Sequence, residues 1–389
     1  MSAIITLNAG SSSLKFSVYL HDDVLHEIMA GQVENLGPAA VIKFRRSGAA
    51  ETISKSIGTA DHKVALTEIL NVLESLLDIH DGKGHQVIGV GHRVVHGGIE
   101  FDQPVIINDD VIDSLSALIP LAPLHQPHNL AAIEAARKAF PQAIQVACFD
   151  TAFHRSQPWV NDVFALPKKY YDEGVRRYGF HGLSYDYITS VLELQWPELN
   201  QSKVIIAHLG NGASMCALKN GESMGSTMGF SPLDGLPMGT RCGQLDPGVL
   251  LYLMDKGLGR SEISTILYRQ SGLKGLSGIS SDMRELLASD DINAKQAIKY
   301  YVYRIRREIG AMTTTMGGLD ALVFCGGIGE NAAPIRAMVL QDLEYLGLEI
   351  NHQANTAGLT DIGLGKTRAL VIPTDEERVI AQGVVNALG

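Results

Sequence analysis

Residues 4–19, IITLNAGSSSLKFSVY, constrain this chain more than any other stretch. Two apolar, β-prone runs flank Asn8, Ala9, Gly10 and Ser11, and the return run opens at Lys15, which predicts a β-hairpin with a tip of hydrogen-bond donors. Backbone N–H groups, serine hydroxyls and the Lys15 ammonium on a glycine-permitted turn form a concavity for a phosphate or another oxyanion. Taken alone, such a turn is more often an ordinary polar hairpin. The pattern recurs in the second half of the chain. Residues 204–219, VIIAHLGNGASMCALK, repeat the strand, a turn of small and polar residues (His208, Gly210, Asn211, Gly212, Ser214) and a return strand ending at the Asn220-Gly221 turn signal. Aligning Asn8-x-Gly10 with His208-x-Gly210 keeps both strands in step. One such unit opening each half predicts two related α/β domains whose turns face each other across a cleft. A third glycine turn, residues 324–331 (FCGGIGEN), follows a short strand and opens a helix, whose N-terminus is a further anion site.

A chain of 389 residues is ample for two domains, each with its own core. Hydrophobic content of 46% against 19% charged describes a globular protein. The net charge of −10 argues against nucleic acid or an anionic membrane as partner, so a site for an anionic substrate has to be locally basic. Cys148, Cys216, Cys242 and Cys325 form no C-x-x-C pair, which predicts reduced thiols and a cytoplasmic location. The N-terminus shows no signal-peptide pattern, and no run approaches the roughly 20 apolar residues of a membrane helix.

Between the turns, residues 24–44 read as further strands punctuated by Gly31, Gly37 and Pro38, and residues 63–77 as an amphipathic helix. A strand at 87–90 delivers His92 and Arg93 to the place where open α/β sheets bind ligands. The plainer alternative for Arg93 is a surface salt bridge. A zinc site at His92 and His96 is disfavoured because no carboxylate or Cys stands nearby in sequence. Residues 129–140 predict a helix and 145–149 a strand ending in Asp150, which either caps a helix or is placed to hold Mg²⁺ or orient a nucleophile. For His181 a buried core position is the alternative to a site role. Residues 221–248 are Gly- and Pro-rich with little regular pattern, which marks a functional loop, and Arg241 is its one cation. Helices are predicted at 293–316 and 376–388, with a strand at 369–372 between them. The last helix opens with Glu376 and Glu377, which suit a helix N-terminus in any case. Two motifs fail on inspection. Gly365-Lys366-Thr367 has Thr360 where a Walker A loop needs its first glycine. Gly89-Val90-Gly91 has Val94 at the last glycine position of a dinucleotide fingerprint.

Ten segments, in order, resemble the motif set of the acetate kinase family: NAGSSSLK (8–15), GHRVVHGG (91–98), PLHQPHN (123–129), FDTAFH (149–154), RRYGFHG (176–182), HLGNGAS (208–214), MGTRCGQLDPG (238–248), SGISSDMR (277–284), CGGIGEN (325–331) and IPTDEE (372–377). The resemblance covers nearly the whole chain. It implies an α/β fold of two duplicated RNase-H-like, actin-like ATPase domains: residues 1–149 with the C-terminal helix 377–389, and residues 150–376 for nucleotide binding and dimerisation. It implies reversible, ATP-dependent phosphorylation of acetate to acetyl phosphate by in-line transfer to the carboxylate. Mg²⁺ (or Mn²⁺) as metal, ATP and ADP as co-substrates and a homodimer follow from the same likeness.

Residue by residue, the resemblance makes Asp150 the catalytic aspartate. Arg93 holds the substrate carboxylate, and His181 and Arg241 contact the transferred phosphoryl group. Val95, Leu124, Phe180 and Pro232 wall the substrate methyl group, with a smaller residue at position 95 being the pattern of propionate preference. Asn8 and Glu376 bind the metal. The nucleotide contacts are Lys15; His208, Leu209, Gly210, Asn211 and Gly212; Asp282, Met283 and Arg284; and Gly327, Ile328, Gly329, Glu330 and Asn331. Rival readings remain. A propionate or butyrate kinase shares every catalytic residue. An Hsp70-like or actin-like switch needs an added peptide or polymer surface that the chain does not show. A sugar kinase needs a general-base Asp for a neutral hydroxyl, and Arg93 disfavours it.

Overall fold

The structure is a computed structural model that describes residues 2–10, 13–77 and 85–389, with the backbone alone at 74–77. Ser11 and Ser12 of the first turn lie outside the described residues. The chain divides into two compact units, Met1–Phe153 with Asp375–Gly389, and His154–Thr374. The predicted boundaries at 149 and 377 assign Asp150 and Glu376 to the second domain, whereas the structure keeps both residues with the first. Hydrogen bonding gives the reason: Asp150 N donates to Val94 O (3.1 Å) and Gly97 N to Thr151 Oγ1 (3.0 Å), so the chain stays on the first sheet past Phe149.

The first unit holds a sheet in the order β5-β4-β3-β2-β1-β6-β8-β7. Its strands are β1 (Ser2–Ala9), β2 (Leu14–His21), β3 (Leu25–Glu34), β4 (Gly37–Arg46), β5 (Ile53–Ala60), β6 (Gln86–Val94), β7 (Val105–Ile106) and β8 (Ile144–Phe149). The first hairpin forms as predicted, with Asn8 opposite Lys15 and Ala9 opposite Leu14. On its other side β1 runs parallel to β6, and β6 runs parallel to β8. Parallel pairing brings the carboxyl ends of all three strands to one sheet edge, which places Asn8, Arg93 and Asp150 side by side. Alternate side chains of β1 and β2 (Ile5, Leu7, Phe16, Val18) join Ala65, Leu66 and Ile69 of the His62–Leu77 helix in a buried core.

The second sheet has the order β11-β10-β9-β12-β13, from β9 (Lys203–Leu209), β10 (Ala213–Lys219), β11 (Glu222–Ser226), β12 (Ala321–Cys325) and β13 (Arg368–Val371). That is the order β3-β2-β1-β6-β8 over again: an antiparallel three-strand ribbon, then two parallel strands beside its first member. The predicted duplication is therefore present in topology. Residues 221–248 are not irregular throughout, because Asn220 (φ 55°) and Gly221 (φ 78°) make a tight left-handed turn that starts β11.

The C-terminal helix Glu376–Leu388 lies on β1, β6 and β8, and its close approach depends on two glycines. A Cβ on Gly89 would stand 2.3 Å from Val384 Cγ1, and one on Gly91 2.4 Å from Ile380 Cγ2. The Gly89-Val90-Gly91 sequence thus serves helix packing. Gly91→Ala is expected to push the helix off the sheet and to cost about 1–3 kcal/mol, measured as a lower Tm with faster amide exchange confined first to Glu376–Leu388. An unchanged Tm would show that the helix does not need this clearance.

Candidate active site

At the edge of the first sheet the dominant interaction is a fork. Arg93 Nε and Nη2 donate to Asp150 Oδ1 (2.9 Å) and Oδ2 (2.6 Å), and Nη1 donates to Asn8 Oδ1 (3.0 Å). Both carboxylate oxygens of Asp150, which is fully buried, are thereby engaged by Arg93. Burial opposes the Arg93 charge, but Asp150 outweighs it and raises the guanidinium pKa above its usual range. Of the five N–H groups of a guanidinium these bonds use three, leaving one on each Nη to meet a second carboxylate.

Glu376, the first residue of the C-terminal helix, stands within electrostatic reach of this fork. Burial raises its carboxyl to about 7, with Asp150 and Glu377 adding like charge and Arg93 and Lys15 opposing. Asn8 Nδ2 donates to Glu377 Oε1 (3.3 Å), so the neighbour predicted to share a metal with Glu376 is hydrogen-bonded to the second acid of the pair. His92 and His96 are both buried. His92 Nε2 meets Gln145 Oε1 (2.8 Å), burial pushes its pKa down to about 4, and His96 Nδ1 accepts from Gly98 N (2.9 Å).

In the second unit the cluster forms over Gly212. A Cβ there would stand at ordinary contact distance from both His181 Nε2 (3.4 Å) and Arg241 Nη1 (3.8 Å), so the two side chains converge on this turn. His181 has φ 59°, sparsely populated for a residue with a side chain, at the N-cap of the Gly182–Gln195 helix. The turn before it is tight, since a Cβ on Gly179 (φ 74°) would meet the His154 ring at 2.4 Å. His181 stacks on His208 (ring centroids 4.3 Å apart), whose Nδ1 lies 2.8 Å from Ser184 Oγ. Arg241 Nη1 reaches Pro232 O at 3.4 Å and Met238 Sδ at 3.6 Å.

Three turns interlock beside this cluster. Gly210 N donates to Gly212 O (2.9 Å), Gly239 N donates to Asn211 O (3.0 Å), and a Cβ on Gly326 (φ 74°) would strike Leu209 O at 2.8 Å. A cavity of about 660 Å³ opens there and gathers Gly210, Asn211, Asp282, Met283, Arg284, Gly327, Ile328 and Asn331 from three distant stretches. Leu209 is buried in β9, and Gly329 is buried within the Gly326–Asn331 helix. The Glu330 carboxylate accepts from Gly326 N (2.9 Å) and Thr374 N (3.1 Å), so it holds the turn together. Asp282 caps the Met283–Ala288 helix and binds Arg284, whose side chain is otherwise exposed. Lys15 is exposed on β2 in the first unit. Of the four predicted wall residues, Val95 and Leu124 belong to the first unit and Phe180 and Pro232 to the second; Leu124 alone is only half-buried.

Some supporting residues were given no role by the sequence, although Asn129 closes the PLHQPHN segment. Buried Asn129 donates to Ala9 O (3.0 Å) and accepts from Val95 N (3.1 Å), joining the strand ends that bear Asn8 and Arg93. Buried Arg336 donates to Gly329 O and Glu330 O, both at 2.8 Å, beneath the third turn. For Arg336 the one hint is a charged residue among the buried apolar positions Ile335, Val339 and Leu340 of its helix.

The sequence model of the Acetokinase family matches residues 3–382. The acetate kinase of Methylocella silvestris is 51% identical over 97% of this chain and 96% of its own length. One from Rhodopseudomonas palustris (strain TIE-1) is 47% identical over 98% and 97%. Among solved structures, Porphyromonas gingivalis acetate kinase shares 38% identity over the whole of both chains, with a TM-score of 0.88. A propionate kinase from Francisella tularensis shares 38% over 99% of this chain and 100% of its own, with a TM-score of 0.91. The fold is thus the actin-like ATPase type of the acetate kinases.

Glu376 generates a pH prediction. Its folded pKa of about 7 lies above the ordinary 4.5, so the stability it contributes is complete below about pH 4.5 and is lost as pH rises through 7. Without metal, Glu376→Gln is expected to flatten the fall of Tm across this window, the slopes differing by at most about 1.4 kcal/mol per pH unit, and to be the more stable protein at pH 8. Parallel Tm curves for the two proteins would rule the shift out.

Proposed function

The chain belongs to the acetokinase family, and from that premise we propose that it transfers the γ-phosphoryl group of ATP to acetate, reversibly, giving acetyl phosphate and ADP. The observation that carries the reading is the Arg93 fork, anchored by Asp150 and Asn8 with one N–H on each Nη left for a carboxylate. Acetate, with a pKa of roughly 4 to 5, is already ionised at neutral pH, so the nucleophile needs positioning and no base. Asp150 orients Arg93, and Arg93 orients acetate. An acetate oxygen attacks the γ-phosphorus in line, the bond from that phosphorus to the bridging oxygen breaks, and ADP leaves with the electron pair. Arg241 and His181 supply the positive charge and hydrogen bonding that the phosphoryl group needs in the transition state. Adenosine occupies the 660 Å³ cavity, with its phosphates toward Gly210–Gly212.

Magnesium fits the oxygen donors of the first unit. Asn8 Oδ1 and the carboxylates of Glu376 and Glu377 are oxygen donors, and the raised Glu376 carboxyl marks crowded negative charge that a divalent cation relieves. Among the described residues no group of three or more His, Cys, Asp or Glu is arranged to hold a metal, which accords with the habit of Mg²⁺ to take one or two carboxylates and complete its shell with phosphate and water. When bound, Mg²⁺ would offset the charge of the nucleotide phosphates. A homodimer belongs to the proposal, supported by Leu251, Tyr252 and Met254, each more than half exposed on the Pro247–Asp255 helix. Sedimentation at the mass of a single chain would remove it. No helix among the described residues is long and apolar enough to cross a membrane.

The test of the reaction is a coupled assay with ATP, Mg²⁺ and each of acetate, propionate, butyrate and glycerol. Acetate is expected to be used best and propionate about 10- to 200-fold less well, since an apolar wall discriminates one methylene by about 1 to 3 kcal/mol. Val95→Ala is expected to shift kcat/KM toward propionate and raise KM for acetate. Preference of the unmodified protein for propionate would replace the acetate assignment with the short-chain alternative; this chain is 38% identical to the Francisella tularensis propionate kinase and to the Porphyromonas gingivalis acetate kinase alike. For Arg241→Ala, kcat is expected to fall by orders of magnitude while ATP affinity barely changes, because its contact strengthens in the transition state. Loss of ATP binding with kcat retained would assign Arg241 to the ground state instead.

A further inference from the structure

The Asn8-Ala9-Gly10 turn is gripped from outside its own hairpin. His62 Nε2 lies 2.6 Å from Gly10 O, and Asn129 Nδ2 donates to Ala9 O (3.0 Å), so two successive carbonyls each meet a side chain. His62 is the first residue of the His62–Leu77 helix, and Asn129 stands near the start of the Gln126–Ala139 helix. Both helices are anchored in the core beside β1 and β2, one by Ala65, Leu66 and Ile69 and the other by Ala132 and Ala136. The end that bears His62 is capped: Asp61 accepts from Val64 N through its carboxylate and from Ala65 N through its carbonyl, both at 2.9 Å. His128, the neighbour of Asn129, stacks its ring on that of His62, with centroids 4.1 Å apart and planes 16° from parallel.

A carbonyl oxygen only accepts, so the hydrogen in the bond to Gly10 sits on His62, as Nε2–H of either the neutral ring or the imidazolium. That assignment holds whatever else the ring touches, because a bare Nε2 cannot bond to an oxygen that has no hydrogen to give. Burial, and the His62 ring beside it, lower the pKa of His128, so the ring that backs His62 is neutral at pH 7.

We propose that His62 is a positioning residue for phosphate binding at this turn: from its helix it holds the Gly10 carbonyl, with His128 as backing, while Asn129 holds the Ala9 carbonyl. The phosphate role rests on the reaction proposed above; the bond itself does not. A carbonyl presents partial negative charge, so a turn receives an anion on its N–H groups only while its carbonyls are engaged elsewhere. Glycine adds freedom at the very place where order is needed, since Gly10 has no side chain to restrict it. The bond from Gly10 N to Ser13 O (2.8 Å), with Asn129 on Ala9 O, fixes the peptide before Gly10 and leaves its own carbonyl to His62. Holding that carbonyl in advance spares ligand binding an ordering cost.

The test uses the full chain. With ¹⁵N-labelled histidine and long-range ¹H–¹⁵N spectra, the His62 signals are identified by their loss in His62→Gln, and the unmodified protein is expected to carry hydrogen on Nε2 at neutral pH. A ring with hydrogen on Nδ1 alone overturns the proposal. Calorimetric titration with ATP and Mg²⁺, without acetate, and steady-state kinetics supply the functional arm. His62→Leu keeps the bulk and loses the donor. It is expected to weaken ATP binding and raise KM for ATP about ten-fold, the scale of one hydrogen bond, with KM for acetate within about two-fold because Asp150 still anchors Arg93. His62→Gln, whose carboxamide nitrogen takes the place of Nε2, is expected to recover most of that affinity. A His62→Leu protein with lower Tm but unchanged ATP affinity would make His62 a structural residue and overturn the proposal, as would equal losses in the Gln and Leu variants. Should His62→Leu fail to fold, His62→Asn, whose amide stops at the place of Nδ1, is read instead, and undiminished ATP binding there overturns the proposal. ATP affinity that depends on the donor, in a protein that does not phosphorylate acetate, would keep the grip on the turn and discard the reaction.

Discussion

Each sheet depends on the double allegiance of one strand. β1 and β9 pair antiparallel with a hairpin partner on one side and parallel with a later strand on the other. Parallel pairing is the constraint, because it obliges strands far apart in sequence to end at the same edge. Asn8, Arg93 and Asp150 meet for that reason alone, Asn8 and Arg93 being next to last in β1 and β6 and Asp150 the first residue after β8. In the second unit the same rule brings the turn after β9 against the helix start after β12, where Gly326 packs on Leu209.

Close approach then decides what can be built on those edges. The first unit seats its C-terminal helix against Gly89 and Gly91, which carries Glu376 and Glu377 toward Arg93 and Asn8. In the second, absent side chains at Gly239 and Gly326 let three turns pack together beside His181 and Arg241. The cost is backbone held in sparsely populated conformations, of which His181 at φ 59° is the clearest case.

Charge is arranged against the overall trend of the molecule. In a protein of net charge −10, Arg93 is surrounded by Asp150, Glu376 and Glu377, so acidic neighbours keep it ionised while crowding one another. Such crowding destabilises the folded state by itself. The Mg²⁺ proposed to bind there would relieve it.

Much of this was legible in the sequence. Alternating apolar runs around Asn8-x-Gly10 and His208-x-Gly210 determined two hairpins, and their repetition determined a duplicated α/β fold, because side-chain period and glycine turns act over a few residues. Ten short motifs in order determined the family. Tertiary structure alone decided where the units part, that Asp150 and Glu376 belong with the first sheet, and that the 221–248 stretch begins with a strand. It alone decided that Asp150 holds Arg93, that Glu330 braces a turn, and that Asn129 and Arg336 support the residues in front of them. The physical reason is distance along the chain: these bonds join residues tens to hundreds of positions apart or depend on which way a buried side chain turns, and no local pattern of hydrophobicity or propensity carries that information.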